Sequence, residues 1–216
     1  MAEHLPLCAA TEDLLPGPCR SCAWWQTAGI ARVSPTTAAT VRTRWTAALE
    51  QEWGCPGIIR KQVDTHRQPG TSTSWVVHYA PASRLPRLRD LLMTQMAEDA
   101  VFLFCLRGEG ATDARNASML LHLALKRLKQ QHSREAYAFA HLEGGTPWDE
   151  NCEFFSRVFL QENGFEELHN YGDVVLMRVD LRTLLSVLAP LENALKRLLH
   201  SEPNPSPAAW SSRGPA

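Results

Sequence analysis

Between residues 35 and 53 the apolar positions Val41, Trp45, Ala48 and Leu49 recur three and four apart, and Trp53 extends the same face. That period predicts an amphipathic helix. Gly54-Cys55-Pro56-Gly57 stops it, because the first glycine tolerates a positive φ and the proline lacks an N–H. The period then shortens to two. Residues 57–63 and 75–79 read as antiparallel strands joined by a polar loop containing Pro69-Gly70, and Ala80-Pro81 breaks the second strand. Residues 81–98 form an excursion with a leucine-rich stretch at 85–96.

An apolar, β-prone run at 100–106 enters a loop of glycine and small residues, which opens onto an amphipathic helix at about 115–131. Such a unit aims several backbone N–H groups and a helix N-terminus at one spot, which suits an anion such as a pyrophosphate. A strand at 136–142, the turn Gly144-Gly145-Thr146-Pro147 and a helix at 149–162 follow, and Asn163-Gly164 supplies a left-handed cap. Residues 165–168 and 173–179 pair as a final hairpin. The predicted class is α/β of the α+β kind, a mixed central sheet with helices on both sides.

The ends read differently. Residues 1–33 form an irregular leader whose Trp24 and Trp25 pack onto the core. Beyond the main unit at 34–180, the stripe Leu181, Leu184, Leu185, Leu188 and a second one from Leu191 to Leu199 predict two amphipathic helices over 181–202. Burying one leucine contributes about 1.5–3 kcal/mol, so these helices cover an apolar surface, either on their own domain or in a homodimer. The Pro/Ser-rich tail 203–216 has too little to bury and reads as disordered.

Composition narrows the possibilities. A chain of 216 residues can bury a proper core. Its 22 Lys plus Arg against 23 Asp plus Glu leave a net charge of −1, so nothing favours a nucleic-acid partner. No apolar run reaches the ~18 residues of a membrane span, and the first fifteen residues lack the basic region of a secretory signal. A cytoplasmic protein is expected. Of the six cysteines only Cys19-x-x-Cys22 has metal-like or redox spacing, and no second such pair completes a four-ligand set, so both read as packed or loop thiols.

Several short motifs, in their order, carry a resemblance: Cys19-Arg-Ser-Cys22 with Trp25, Glu52-Trp53-Gly54, Val76-Val77-His78-Tyr79-Ala80-Pro81, Asp99-Ala100-Val101, Phe159-Leu160 with Gly164-Phe165, and Met177-Arg178-Val179-Asp180-Leu181. Over residues 19–182 the chain resembles the GNAT superfamily of acetyl-CoA-dependent N-acetyltransferases, and within it a group of actinobacterial members with a CxxCxxW leader. The resemblance implies acetyl-CoA as co-substrate and a small-molecule or peptide amine as acceptor. It implies that main-chain groups of Phe104, Cys105 and Leu106 meet the thioester. It also implies that the segment Ala114, Arg115, Asn116, Ala117 and Ser118 meets the pyrophosphate, and that Asn151 faces the cofactor. Arg115 stands where the family has a glycine, so its guanidinium either crowds the phosphates or pairs with them. Leu160 stands where relatives carry an acidic tyrosine, and Tyr171 is a substitute. His141 and Glu143, after the fifth strand, are the candidate bases; an unperturbed imidazole is largely neutral at pH 7. A GNAT-fold protein that binds without catalysing is the alternative.

Overall fold

A computed structural model describes residues 2–29, 33–63, 72–91, 96, 100–108, 114–142 and 154–183. Seven strands form one sheet in the order β1-β2-β3-β4-β5-β8-β7: β1 (Ala2–Pro6), β2 (Gly57–Val63), β3 (Ser72–Pro81), β4 (Val101–Gly108), β5 (Glu135–His141), β8 (Val174–Asp180) and β7 (Glu166–Asn170). A two-residue strand, β6 (Phe155–Ser156), pairs with β5 outside that path. Neighbours run antiparallel except β4 with β5 and β5 with β6. A parallel pair needs a crossover, here α4 (Ala114–Gln130).

Period-two alternation sorts side chains to the two faces. On one face Val77, Tyr79, Val101, Leu103, Leu106, Ala136, Ala138 and Ala140 meet Leu120, Leu121, Ala124, Leu125 and Leu128 of α4, together with Phe159 and Leu160 of α5 (Arg157–Glu162). Small alanines along β5 let α4 and α5 approach closely. On the other face Phe102, Phe104, Tyr137 and Phe139 meet Trp25, Leu49 of α2 (Pro35–Glu52), Leu88 of α3 (Pro86–Asp90) and Leu85 just before it. Ser34 caps α2 by accepting from the Thr37 N–H at 3.2 Å, and Gly54, at φ 126°, turns the chain into β2.

Several expectations need correction. The leader is not irregular: Ala2–Pro6 adds an edge strand to β2, Ala9–Leu14 forms a 3-10 turn, and α1 (Gly17–Arg20) follows. Its five residues alternate too little to signal a strand, and the exposed backbone edge of β2 supplies the template; Pro6 is tolerated because the strand lies at an edge. Among the described residues the leucine-rich excursion yields a 3-10 turn at Ala82–Arg84 and the short α3. Of the helix expected at 149–162, residues 149–153 lie outside the described residues; Phe155 and Ser156 pair with β5, and the Ser156 hydroxyl then caps the helix from Arg157, accepting from Phe159 N–H. The helices and tail expected over 181–216 lie outside the described residues beyond Thr183. No helix among the described residues is long and apolar enough to cross a membrane.

Candidate functional site: a wedge between two parallel strands

The pairing of β4 with β5 lasts three residues, Val101–Ala136, Phe102–Tyr137 and Leu103–Ala138. Both strands continue beyond it, β4 to Gly108 and β5 to His141, and they diverge. A bulge sits at the point of divergence. In the β3–β4 ladder His78 faces Cys105 and Tyr79 faces Leu103, so Phe104 is an extra residue in β4. A bulge bends its strand and increases the local twist, which here carries β4 away from β5. It also resets the alternation: Leu103 and Leu106 both reach the α4 face, while Phe104 and Cys105 both turn to the other. On the far side of the wedge, β6 takes up the edge of β5 next to Ala140 and His141. The α4 N-terminus begins six residues after β4 ends, near the same open end of the parallel pair.

Phe104 and Leu106 are buried and Cys105 is half-buried, all on β4 at and beyond the bulge. Ala114 opens α4, and Arg115 to Ser118 belong to its first turns rather than to a loop. Arg115 is exposed, whereas the side chain of Ala117 is fully buried against the sheet, so only its main chain is available to a ligand. The Asn116 side-chain oxygen accepts a hydrogen bond from the Arg60 guanidinium of β2. His141 is half-buried at the end of β5, its ring 4.8 Å from that of Phe154. Leu160 is fully buried in the helix-side core, and Tyr171 is exposed, its ring tilted against that of His169 at 4.4 Å. Glu143 and Asn151 lie outside the described residues.

The structure adds a residue of higher interest. On the face opposite α4, a cleft of about 70 Å³ opens at the bulge, lined by Trp25 and Gln26 of the leader, Arg42 of α2, His78 of β3, and Phe104 and Cys105 of β4. Its size suits the end of a small group and not a nucleotide. His78 is buried, its ring lies 5.4 Å from that of Phe104, and its Nδ1 has no hydrogen-bond partner. Burial, and then the charge of Arg42, hold the His78 imidazole down to about 3, so it is neutral at ordinary pH. The Trp25 Nε1–H beside it is equally without a partner. Both polar atoms border the cleft and are open to a hydrogen-bonding group that enters it. The sequence signal for His78 was its parity alone: it faces away from Val77 and Tyr79 within the apolar run 75–80.

The cleft is held rigidly. The Arg42 guanidinium donates to the Cys19 carbonyl at 2.8 Å and pairs with Glu12 at 3.5 Å, and Thr43 donates to the same carboxylate at 2.6 Å. Arg87 of α3 donates to the Trp24 carbonyl at 3.1 Å and lies 3.8 Å over the Trp24 ring. Trp25 itself contacts Phe102, Phe104, Phe139 and Phe154, so one aromatic cluster links the surroundings of His78 and His141.

No protein-family model and no curated protein matches the sequence. Solved structures do. An N-acetyltransferase from Staphylococcus aureus Mu50 superposes with a TM-score of 0.52 at 14% identity, over 84% of this chain and 99% of that one. PaiA N-acetyltransferase from Thermoplasma acidophilum, in complex with coenzyme A, gives 0.45 at 15% identity, over 83% and 99%. At such identities the likeness is one of fold, and the mixed sheet with its flanking helices is the GNAT fold.

Proposed function

We propose that this protein is an acetyl-CoA-dependent N-acetyltransferase acting on a small-molecule or peptide amine. One observation carries the proposal: the parallel pair opens after Leu103 and Ala138, at a bulge, and α4 begins shortly after the end of β4. A pantetheine arm is a thin chain with amide groups, and it fits a gap where a strand partner is missing. Lying along β4 past Phe104 it would meet main-chain groups as a neighbouring strand does. The partial positive charge at the start of α4 suits the pyrophosphate, and the exposed Arg115 side chain would stand beside it. The likeness in fold to an N-acetyltransferase, and the leader motif Cys19-x-x-Cys22-x-x-Trp25, support the same reading.

In the reaction an amine nitrogen attacks the thioester carbonyl, a tetrahedral oxyanion forms, and the C–S bond breaks to release coenzyme A thiolate. Main-chain N–H groups of Phe104 to Leu106 stabilise the oxyanion, because charge developing beside fixed dipoles needs no reorganisation. The acceptor enters through the cleft under Trp25. His78, neutral and with an unpartnered Nδ1, accepts a hydrogen bond from the amine and aims its lone pair; its low proton affinity makes it a positioning group and not the proton store. His141, on the same face at the end of β5, takes the amine proton, with Glu143 as the second candidate base. The thiolate leaves without a phenolic acid, since Leu160 offers none.

That buried leucine favours a second reading, a GNAT-fold module that binds the thioester and does not turn it over. Calorimetry with acetyl-CoA, amide hydrogen exchange and thiol release with a panel of amines separate the two. The expected result is saturable binding, slower exchange across residues 104–108, and thiol release that needs an amine. Binding with that protection but without turnover would leave the module standing. Absence of protection on β4 would remove both readings.

A further inference from the structure

Among the described residues the conspicuous Cys19-x-x-Cys22 pair belongs to no group of three metal-ligating side chains. Among the described residues the sole grouping of His, Cys, Asp or Glu close enough to share an ion is Cys8, Glu50 and Cys55, whose ligand atoms all lie within 4.8 Å of one another. Three separate pieces of chain build it. β1 ends at Pro6, the Leu7 N–H donates to the Gly57 carbonyl at 2.9 Å, and this pairing sets Cys8 beside Cys55, just ahead of β2. Glu50 lies in the last turn of α2, and the tight turn at Gly54, whose N–H bonds to the Leu49 carbonyl at 3.0 Å, folds Cys55 back toward it.

The surroundings orient the donors. The Glu50 carboxylate accepts the Ala9 N–H at 3.0 Å through Oε2, and the Cys8 N–H donates to the Thr11 hydroxyl at 3.0 Å. Outer bonds of this kind hold metal ligands in place. Two sulfurs and a carboxylate oxygen brought this close form a compact donor set for a dication.

We propose that Cys8, Glu50 and Cys55 form a zinc site, separate from the wedge, with two thiolate sulfurs, one carboxylate oxygen and solvent in the fourth position. A thiolate, thiolate, carboxylate set is a zinc donor set. Donors on one tetrahedral ion, with bonds of about 2.0–2.3 Å, stand roughly 3.5–3.8 Å apart. The three groups therefore need to close by about an ångström, within the reach of side-chain rotation. Binding exchanges two thiol protons for one Zn²⁺ and changes no oxidation state. The ion fastens the leader to the α2–β2 junction.

The test uses the full-length, reduced protein freed of metal by a chelator and titrated with Co²⁺ under exclusion of air. The expected result is thiolate-to-cobalt charge-transfer absorption saturating at about one ion per chain and bleached by Zn²⁺. Cys8→Ser and Cys55→Ser should each lose most of that absorption, Glu50→Gln should weaken affinity at least about tenfold, and the Cys19→Ser/Cys22→Ser double variant should leave it unchanged. A second measurement covers variants that do not fold: in the wild-type chain Zn²⁺ should slow alkylation of Cys8 and Cys55 selectively, read by peptide mass spectrometry. The proposal is overturned by absence of thiolate bands, by bands that follow Cys19 and Cys22, or by a chain that forms a Cys8–Cys55 disulfide in air and takes up no cobalt when reduced.

Discussion

His78 concentrates at one residue the conflict between stability and function. A histidine enclosed among aromatic rings, with Arg42 nearby and Nδ1 lacking a partner, is an expensive core residue; a valine would suit the sheet better. Its imidazole is held near 3 in the folded chain and returns to 6.5 on unfolding. Below pH 6.5 the unfolded chain therefore binds a proton that the folded chain refuses, and stability falls on acidification. From pH 7 to pH 5 this one group removes about 2 kcal/mol. His78→Gln should flatten that part of the slope, measured by urea unfolding at the two pH values. His4 is also shifted down by burial and Arg60, so the decisive quantity is the difference between wild type and variant. An unchanged slope would mean that His78 is wetter than its packing indicates. In an active preparation the same substitution should raise KM for the amine more than it lowers kcat, as a positioning group requires.

At the scale of elements, the wedge depends on how β4 is held against β3 after it leaves β5. Bulge and pairing continue to Gly108, which faces Trp75. A β-carbon on Gly108 would fall 2.2–2.6 Å from three ring atoms of that buried tryptophan. The indole lies across the glycine, and the missing side chain is part of the fit. Gly108→Ala should destabilise by about 1–3 kcal/mol, as overpacking does, and should weaken acetyl-CoA binding because the end of β4 must shift. Calorimetric affinity beside thermal melting checks it; a neutral melt would show that Trp75 swings aside. The bulge also explains why the run 100–106 reads as one uniform strand in the sequence: the extra residue at Phe104 is apolar like its neighbours.

For the molecule as a whole, the leader acts as a clamp over the open side of the sheet. Trp25 touches four aromatic rings from β4, β5 and the approach to β6, while Glu12–Arg42 and Arg87–Trp24 fix its flanks to α2 and α3. Replacing a buried tryptophan by alanine typically costs about 3–5 kcal/mol, a large share of the ~5–15 kcal/mol that holds a domain folded. Trp25→Ala should therefore lower the melting temperature sharply and open the cleft, which denaturation followed by circular dichroism measures. A loss under about 1 kcal/mol would identify the leader as an appendage whose contacts are incidental. The leader's role bears on the zinc site too, since Cys8 ties the start of this clamp to the end of α2.

The sequence by itself determined the alternation of strand and helix, the helix stop at Gly54, the left-handed turn at Gly164 (φ 86°) and the burial of Trp25, because each follows from a local period or a local backbone requirement. It also located β4 and the opening of α4, the two elements that border the wedge. Tertiary structure alone decided the rest. Whether β4 and β5 part after Leu103 depends on a register against β3 that no local pattern encodes. The cleft at His78 exists only because the leader folds over it. Cys8 meets Glu50 and Cys55, far along the chain, because an edge strand and a helix end converge, whereas among the described residues Cys19 and Cys22 belong to no group of three metal-ligating side chains. Spacing reports chemistry only when the ligands share one turn of backbone; ligands brought together by a sheet edge leave no mark in the sequence.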